Sequence, residues 1–390
     1  MKVLVLGAGL VGTPMALDLN KGDEFEVSVA DINKDALDAL NAIDESIQTL
    51  HEDLSNPERV SGIARDFDVV LSAVPGFLGF QTLQALIEAK VKIVDIAFCP
   101  ENAMELDALA KEHGVTAIVD CGVAPGMNNI LTGYAHHQLD TTELALTYVG
   151  GLPVERKWPY EYKAVFSPID VIEEYTRPAR YVENGVLVTR PALTDSEYLD
   201  FPGVGTLEAF NSDGLRSMAD TIDCPNMKEK TLRYIGHIDK MKVLRDGGFF
   251  DTEPVEIKGQ KIRPIDMTCK LLFKSWKLEE GEADLTVMKV IIEGIRDGER
   301  KRFTYDLLDH YDPETKTHSM ARTTGYTATA AVRLLAQDMY NEHGVNPPEF
   351  LGKHENCVRF MLDELAKRNI TYTAKIESLG PVEKEETSEV

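Results

Sequence analysis

Residues 1–12 read MKVLVLGAGLVG, a short apolar run that breaks into three glycines and leads into TPMALDLNK (13–21). Val3–Leu6 has the length and branching of a strand buried on both faces, and Val11–Lys21 carries helical spacing. Between them Gly7 permits a tight turn, Gly9 lets backbone approach a pyrophosphate, and Gly12 lets helix and strand pack closely. The first amides of the helix, around Leu10 and Val11, supply a positive end for phosphates. The stretch predicts a dinucleotide site at Gly7, Gly9, Leu10, Val11 and Gly12. The competing reading is a structural glycine turn.

The surroundings agree with a dinucleotide. A second strand, Glu26–Ala30, ends at Asp31, about 20 residues past the last glycine, where a carboxylate can hold the adenosine ribose hydroxyls. That carboxylate would repel a 2′-phosphate, so NAD is favoured over NADP. Further apolar runs follow at Ile47–Leu50, Phe67–Val74, Val91–Ala97 and Val115–Asp120. Helical stretches separate them at Lys34–Asn41, Pro57–Arg65, Phe80–Ala89 and Glu101–His113. Ser55 and Glu58 read as a capping box, with Pro57 in the first turn. Strand–helix alternation through residue 122 predicts an α/β fold, a Rossmann doubly wound parallel sheet.

The rhythm then changes. Glu143–Val149, Tyr181–Val188, Thr231–Ile235, Pro254–Ile262, Ala283–Ile295 and Arg300–Asp309 read as strands, the second turning at Asn184-Gly185. Helical patterns fall at Ile169–Tyr175, Ile238–Arg245, Pro264–Lys277 and Thr324–His343. Strands in series with a few helices predict an α+β substrate domain.

Composition narrows the function. With 41 basic and 65 acidic residues the 390-residue chain carries a formal charge of −24, which disfavours nucleic acid and anionic membrane surfaces. Five cysteines, none in a CxxC pair, argue against a disulfide framework or a thiolate metal site. The histidine pairs show no ligand spacing either, and no metal is expected. No apolar run is long enough for a spanning helix, and a cytoplasmic enzyme is expected.

Ligands of an open parallel sheet sit beyond the strands' carboxyl ends. That rule adds Ala73, Val74 and Pro75 after the fourth strand, Cys99 after the fifth and Asp53 after the third as cofactor contacts. Cys99 carries no nucleophile pattern, and a buried, inert thiol is its competing reading. Asp120 enters a Gly/Pro-rich loop between the domains and is a candidate catalytic residue, or a hinge. In the second half, polar side chains interrupt apolar segments at Tyr148, Glu161, Tyr162, Arg216, Thr231, Arg233 and His237. Arg233 or Arg216 could clamp an amino-acid carboxylate, or serve a structural ion pair. Glu161, Tyr162 and Thr231 are further substrate contacts. His237 and Tyr148 are candidate proton carriers, with structural roles as the alternative.

GAGLVG, DCGVAPGMNNILTGYAHHQLD (120–140), LTYVGGLPVE (146–155), EYKAVFS (161–167), LEAF (207–210), KTLRYIGHIDKMKVL (230–244) and MARTTGYT (320–327) together resemble the saccharopine dehydrogenase family, most closely its lysine 6-dehydrogenase branch. The likeness runs from Met1 to about Gly352. It implies that residues 1–122 and about 320–379 form the nucleotide-binding domain, that 123–319 form a substrate and dimerisation domain, and that the protein is a homodimer. A polar tail, 380–390, is expected to be disordered.

The same likeness implies NAD-dependent oxidation of a carbon–nitrogen bond, with the ε-amine of L-lysine as substrate and 2-aminoadipate 6-semialdehyde, or its cyclised piperideine carboxylate, as product. The stretch AFCPENAME and the shared GGLP resemble saccharopine reductases more, which points instead to reductive coupling of an aldehyde and an amine, as in saccharopine or carboxynorspermidine formation. A nucleotide-binding protein without turnover is the third reading.

Overall fold

Valine-rich strands need cover on both faces, and the first third of the chain provides it by alternating them with amphipathic helices. The computed structural model describes residues 1–166, 168–279 and 281–382. The elements run β1 (Lys2–Leu6), α1 (Gly12–Leu19), β2 (Glu26–Asp31), α2 (Lys34–Ile43), β3 (Gln48–His51), α3 (Pro57–Ala64), β4 (Val69–Ser72), α4 (Gly76–Ala89), β5 (Lys92–Asp95), α5 (Asp107–His113) and β6 (Thr116–Ile118). β1 sits centrally, Val5 opposite Val29 on one side and Leu71 on the other, both pairings parallel. The order is β3-β2-β1-β4-β5-β6, so the chain reverses its direction of growth between β1 and β4. This is the expected Rossmann sheet.

Helix starts show where local signals mislead. Asn56, not Ser55, caps α3, its side chain accepting from the Glu58 and Arg59 amides at 3.0 and 3.3 Å. Ser55 instead donates to Asp53 at 2.7 Å. The helix expected over 101–113 begins as a 3₁₀ turn, Ala103–Leu106, before α5.

The second region contains α6 (Met127–His136), β7 (Thr141–Pro153), α7 (Pro168–Thr176), β8 (Ala179–Glu183), β9 (Val186–Arg190), β10 (Glu197–Phe201), β11 (Gly205–Asn211), α8 (Met218–Thr221), β12 (Met227–Tyr234), α9 (His237–Asp246), β13 (Val255–Ile257), β14 (Gln260–Ile262), α10 (Pro264–Trp276), β15 (Asp284–Arg296) and β16 (Glu299–His310). After it come α11 (Ser319–Ala336), β17 (Gly344–Asn346), α12 (Glu355–Ala366) and β18 (Tyr372–Pro381). The main path of the sheet is β10-β11-β12-β7-β15-β16-β18, with β8 and β9 attached to β12. It is antiparallel except for the β7–β12 pair, where Thr231 lies opposite Val149. The strand expected over 254–262 is a hairpin, because Lys258 and Gly259 both adopt left-handed φ (51° and 81°) and turn the chain.

The last third divides between the two sheets. β17 adds a parallel strand beside β6, while β18 pairs with β16 in the second sheet. The span 320–379 therefore does not belong wholly to the nucleotide-binding region. Gly380 and Pro381 of the expected tail are part of β18, and residues 383–390 lie outside the described residues. Helix α11 starts at Ser319, earlier than Thr324, because the Asp284 carboxylate accepts the Ser319 and Met320 amides at 2.7 and 3.1 Å. A cap delivered from another strand leaves no local trace in the sequence.

α11 fastens onto α1. Gly325 permits the approach, since a Cβ there would lie 2.9 Å from Met15 Cγ. Arg333 and Arg368 meet the buried Asp18 at 2.9 and 2.7 Å. Burial alone would raise the Asp18 pKa, but the two guanidiniums hold it below the usual carboxylate value.

A cleft between two sheets as candidate active site

At the carboxyl ends of β1, β2, β4 and β5 the two regions enclose a cavity of about 730 Å³. One wall is mostly backbone. Gly7 has φ +106°, and a Cβ at Gly12 would stand 2.0 Å from the Gly7 carbonyl oxygen, so both glycines are required by packing. At Gly9 a Cβ would meet no protein atom within 4 Å, so packing does not explain that glycine. The open space above it, at the first unpaired amides of α1, suits a pyrophosphate. Asp31 braces this turn: its carboxylate accepts the Ala8 and Asn33 amides at 2.7 and 2.6 Å. Leu10, Val11, Asp53, Ala73, Val74 and Pro75 line the same wall. The serine bonds at Asp53 keep its carboxyl below the ordinary value.

The facing wall is built of side chains. β12 presents Glu229, Thr231 and Arg233 to the cavity at alternate positions, as one face of a strand must. β7 contributes Val149, Gly150 and Gly151, α7 contributes Asp170, Glu173 and Glu174 with Arg177 just past its end, and α11 contributes Met320 and Thr324. The Gly150 and Gly151 backbones have no room for a side chain: a Cβ would lie 2.7 Å from Leu232 O or 2.5 Å from Val165 Cγ2.

Arg233 borders the cavity and is closely held by its neighbours. It pairs with Glu174, donates to Tyr175 at 3.2 Å and lies 4.5 Å above the Tyr162 ring. Tyr175 in turn meets His237 Nε2 at 3.0 Å, and His237 Nδ1 lies 2.9 Å from the Tyr160 carbonyl. A carbonyl only accepts, so Nδ1 carries the proton and Nε2 accepts from the Tyr175 hydroxyl. Burial, with Arg233 nearby, drives the His237 pKa down to about 3. His237 is thus a neutral buried prop behind Arg233, a correction to its expected role as proton carrier.

Other expected site residues lie off the cavity. Tyr148 points to the opposite face of β7, meeting Glu197 at 3.3 Å. Glu161 is tied to Arg156 at 2.8 Å, and Tyr162 sits beneath the Arg233 guanidinium. Arg216 lies under the floor, donating to both oxygens of Asp120 at 3.1 and 3.2 Å and to the Cys99 carbonyl at 2.8 Å. It braces Asp120, which does line the cavity. Cys99 is buried behind the wall with its thiol pKa pushed up to about 11 by burial, so its side chain is an inert apolar group. Asp95, fully buried beside Asp120, is raised by that burial to about 7. Among the described residues, no cluster of three or more His, Cys, Asp or Glu is placed for a metal ion.

The sequence singles out none of Glu174, Glu229, Ser212 and Asp213, whereas Phe98 lies in the strand-five exit expected to line the cofactor and does line the cavity. For Glu229 a signal existed, the alternate-residue spacing of Glu229, Thr231 and Arg233 along one strand. Phe98 is clasped between the guanidiniums of Arg177 and Arg216, at 4.6 and 4.8 Å from its ring centre.

The family model for the saccharopine dehydrogenase NADP binding domain matches residues 3–118, and that for the saccharopine dehydrogenase C-terminal domain matches 122–370. The chain belongs to the saccharopine dehydrogenase family. It is an NAD(P)-dependent dehydrogenase of that family. Saccharopine dehydrogenase [NADP(+), L-glutamate-forming] of Pyricularia oryzae is 24% identical over 89% of this chain and 93% of its own length. The mitochondrial alpha-aminoadipic semialdehyde synthase of Bos taurus is 28% identical over 60% of this chain, which covers only 27% of that longer protein. Among solved structures, saccharopine dehydrogenase (L-Glu forming) from Saccharomyces cerevisiae superposes with a TM-score of 0.79 at 20% identity, over 96% of this chain and 99% of that one. That likeness establishes the fold. No helix among the described residues is long and apolar enough to cross a membrane.

Proposed function

We propose that the protein is an NAD-dependent amino-acid dehydrogenase that oxidises the ε-amine of L-lysine to 2-aminoadipate 6-semialdehyde, which cyclises to piperideine carboxylate, releasing ammonia. The charge of the side-chain wall carries this reading. Asp120, Asp170, Glu173, Glu174, Asp213 and Glu229 line it against Arg177 and Arg233, and two further guanidiniums off the cavity, Arg216 and Arg180, pair with Asp120 and Asp213, which still leaves the acids in excess. Such a surface favours a substrate with more ammonium than carboxylate groups. Lysine has two ammoniums and one carboxylate; saccharopine has three carboxylates. Arg233 would take the α-carboxylate, and the acidic remainder would take the amines, with Asp120 and Thr231 beside them.

The backbone wall would hold the nucleotide through Gly7, Gly9, Leu10, Val11 and Gly12, with Asp31 at the ribose and Ala73, Val74 and Pro75 beneath the nicotinamide. A bound nicotinamide nucleotide supplies the hydride acceptor. NAD is preferred because both lining cations stand on the far wall, while the carboxylate of Asp31 stands where a 2′-phosphate would have to sit. The five cysteines are all free, buried thiols, which suits a reducing, cytoplasmic compartment, and the family likeness suits a homodimer.

The second reading, reductive coupling to saccharopine or a carboxynorspermidine-type product, draws on AFCPENAME (97–105) and on the Pyricularia relative. One assay separates them: purified protein at alkaline pH with NAD or NADP and a panel of L-lysine, saccharopine and diamines. NADH formed from L-lysine alone is expected. Turnover confined to saccharopine transfers the assignment to the second reading, and higher kcat/KM with NADP removes the cofactor preference.

A further inference from the structure

An alkylammonium cannot give up hydride until it loses a proton, so an enzyme that oxidises a C–N bond needs an acceptor at the reacting nitrogen. Most carboxylates on the side-chain wall are already committed. Asp120 is held by Arg216, Glu174 by Arg233, Asp213 by Arg180 at 3.0 Å and Glu173 by Arg177 at 3.3 Å. Asp170 stands toward the other domain, 3.4 Å from where a Cβ of Gly76 would lie.

Glu229 differs. It is 5% exposed, yet lines the cavity. Its carboxyl accepts from a neutral donor, Ser212 Oγ at 2.8 Å, and that hydroxyl lies 2.7 Å from Thr231 Oγ1. Gly214 makes room for it: a Cβ there would collide with the Glu229 carboxyl at 2.2 Å. A glycine cleared for a carboxyl, and two hydroxyls in series lining the cavity with it, make a seat for a proton in transit.

We propose that Glu229 accepts the proton from the substrate's reacting ammonium, with Ser212 and Thr231 as its hydroxyl relay. The assignment rests on the amine-oxidation reading above. The ammonium N–H bond breaks, its proton passes to the carboxylate, and the nitrogen keeps the electron pair. That pair forms the C=N bond as the carbon's hydride leaves to the nicotinamide oxidant. Water then adds to the iminium carbon and ammonia departs, leaving the aldehyde.

The groups facing Glu229 set its titration. Burial raises its pKa to about 8; Glu174 of α7 and Asp213 push the same way, while Ser212 and the Gly214 amide oppose them. Arg233, four residues on, shares the strand face. Activity should therefore rise with pH through about 8 as the carboxyl ionises.

Glu229→Gln keeps the shape and loses the base. It should lower kcat/KM for the amine at pH 8 by about 10²–10⁴-fold. It should also abolish the limb near 8, so that log kcat/KM climbs with unit slope toward the substrate's own amine pKa. A readout without turnover is calorimetry of amine binding, nucleotide absent, in buffers of differing ionisation heat. At pH 8 the wild type should release about half a proton and the variant none. A variant with the wild-type limb, or with the same proton release, overturns the assignment. If Glu229→Gln does not fold, Glu229→Asp decides: a displaced limb supports it and an unmoved one refutes it. The wild-type amine panel is read first, so a substrate other than lysine overturns the substrate reading alone, and the Glu229 comparison is run on whichever amine turns over.

Discussion

The two walls of the cleft are built by different means. On the nucleotide side, the Gly7–Gly12 turn, the start of α1 and the ends of β1 and β4 shape a surface from main chain, with Asp31 the principal charged side chain. On the substrate side, Arg233, Glu174, Tyr175 and His237 form a chain of buried polar groups, each oriented by the next. A backbone wall can bind any nucleotide that fits its turn. A side-chain wall has to be built for one arrangement of charges, so specificity should reside there and be fragile.

The strongest way to break that contrast is at Arg233. Arg233→Lys keeps the positive charge but loses the planar fork and its stacking on Tyr162. The expected loss in kcat/KM for the amino acid is about 2–3 kcal/mol, roughly a hundredfold. Nucleotide Kd, measured by fluorescence titration, should not move. A parallel loss of nucleotide affinity would mean that the walls do not act separately.

A finer test lies within the backbone wall. Gly12→Ala forces a Cβ to 2.0 Å from the Gly7 carbonyl, so it should cost about 1–3 kcal/mol of stability, read from denaturant midpoints. Gly9→Ala meets no protein atom within 4 Å. It should leave stability within about 0.5 kcal/mol and weaken the nucleotide by about 1–2 kcal/mol. Stability and binding thus separate across three residues. If Gly9→Ala binds nucleotide as the wild type does, the pyrophosphate does not lie over that turn.

The same contrast explains what the sequence disclosed. The backbone wall is local: a turn, a helix start and Asp31 about 20 residues on occupy fixed places in any βαβ unit, so Gly7, Gly9, Gly12 and Asp31 were readable. The side-chain wall is assembled from distant segments, and single polar residues do not reveal which way they face. Thr231 and Arg233 were named and do line the cavity, whereas Tyr148 sits one residue from Val149 and therefore on the other face of β7. His237 stands out for its chemistry, but its partners, Tyr160 and Tyr175, lie more than sixty positions away. Glu174 becomes a site residue only through its pairing with Arg233. In the fold, β17 has three residues and β18 is largely exposed, so neither has a clear apolar pattern.

The remaining test concerns the support behind the side-chain wall and is read as a pH slope. His237 has a folded pKa of about 3 against an ordinary 6.5. Between those values the unfolded chain takes up a proton that the folded protein refuses, so stability present above pH 6.5 is lost as pH falls toward 3. His237→Gln cannot titrate, and its acid loss should be shallower than the wild type's by up to about 1.4 kcal/mol per pH unit in that window. Glu229 has the opposite sign. Its raised pKa makes the folded state hold a proton that the unfolded state releases, so its contribution declines from about 4.5 up to about 8, and Glu229→Gln should gain relative stability there. Urea unfolding of both variants from acid to mildly alkaline pH checks the two slopes together. Equal slopes for His237→Gln and wild type below pH 6.5 would mean that the imidazole is not held neutral, and the chain of donors running from Arg233 to the Tyr160 carbonyl would have to be redrawn with an imidazolium at its end.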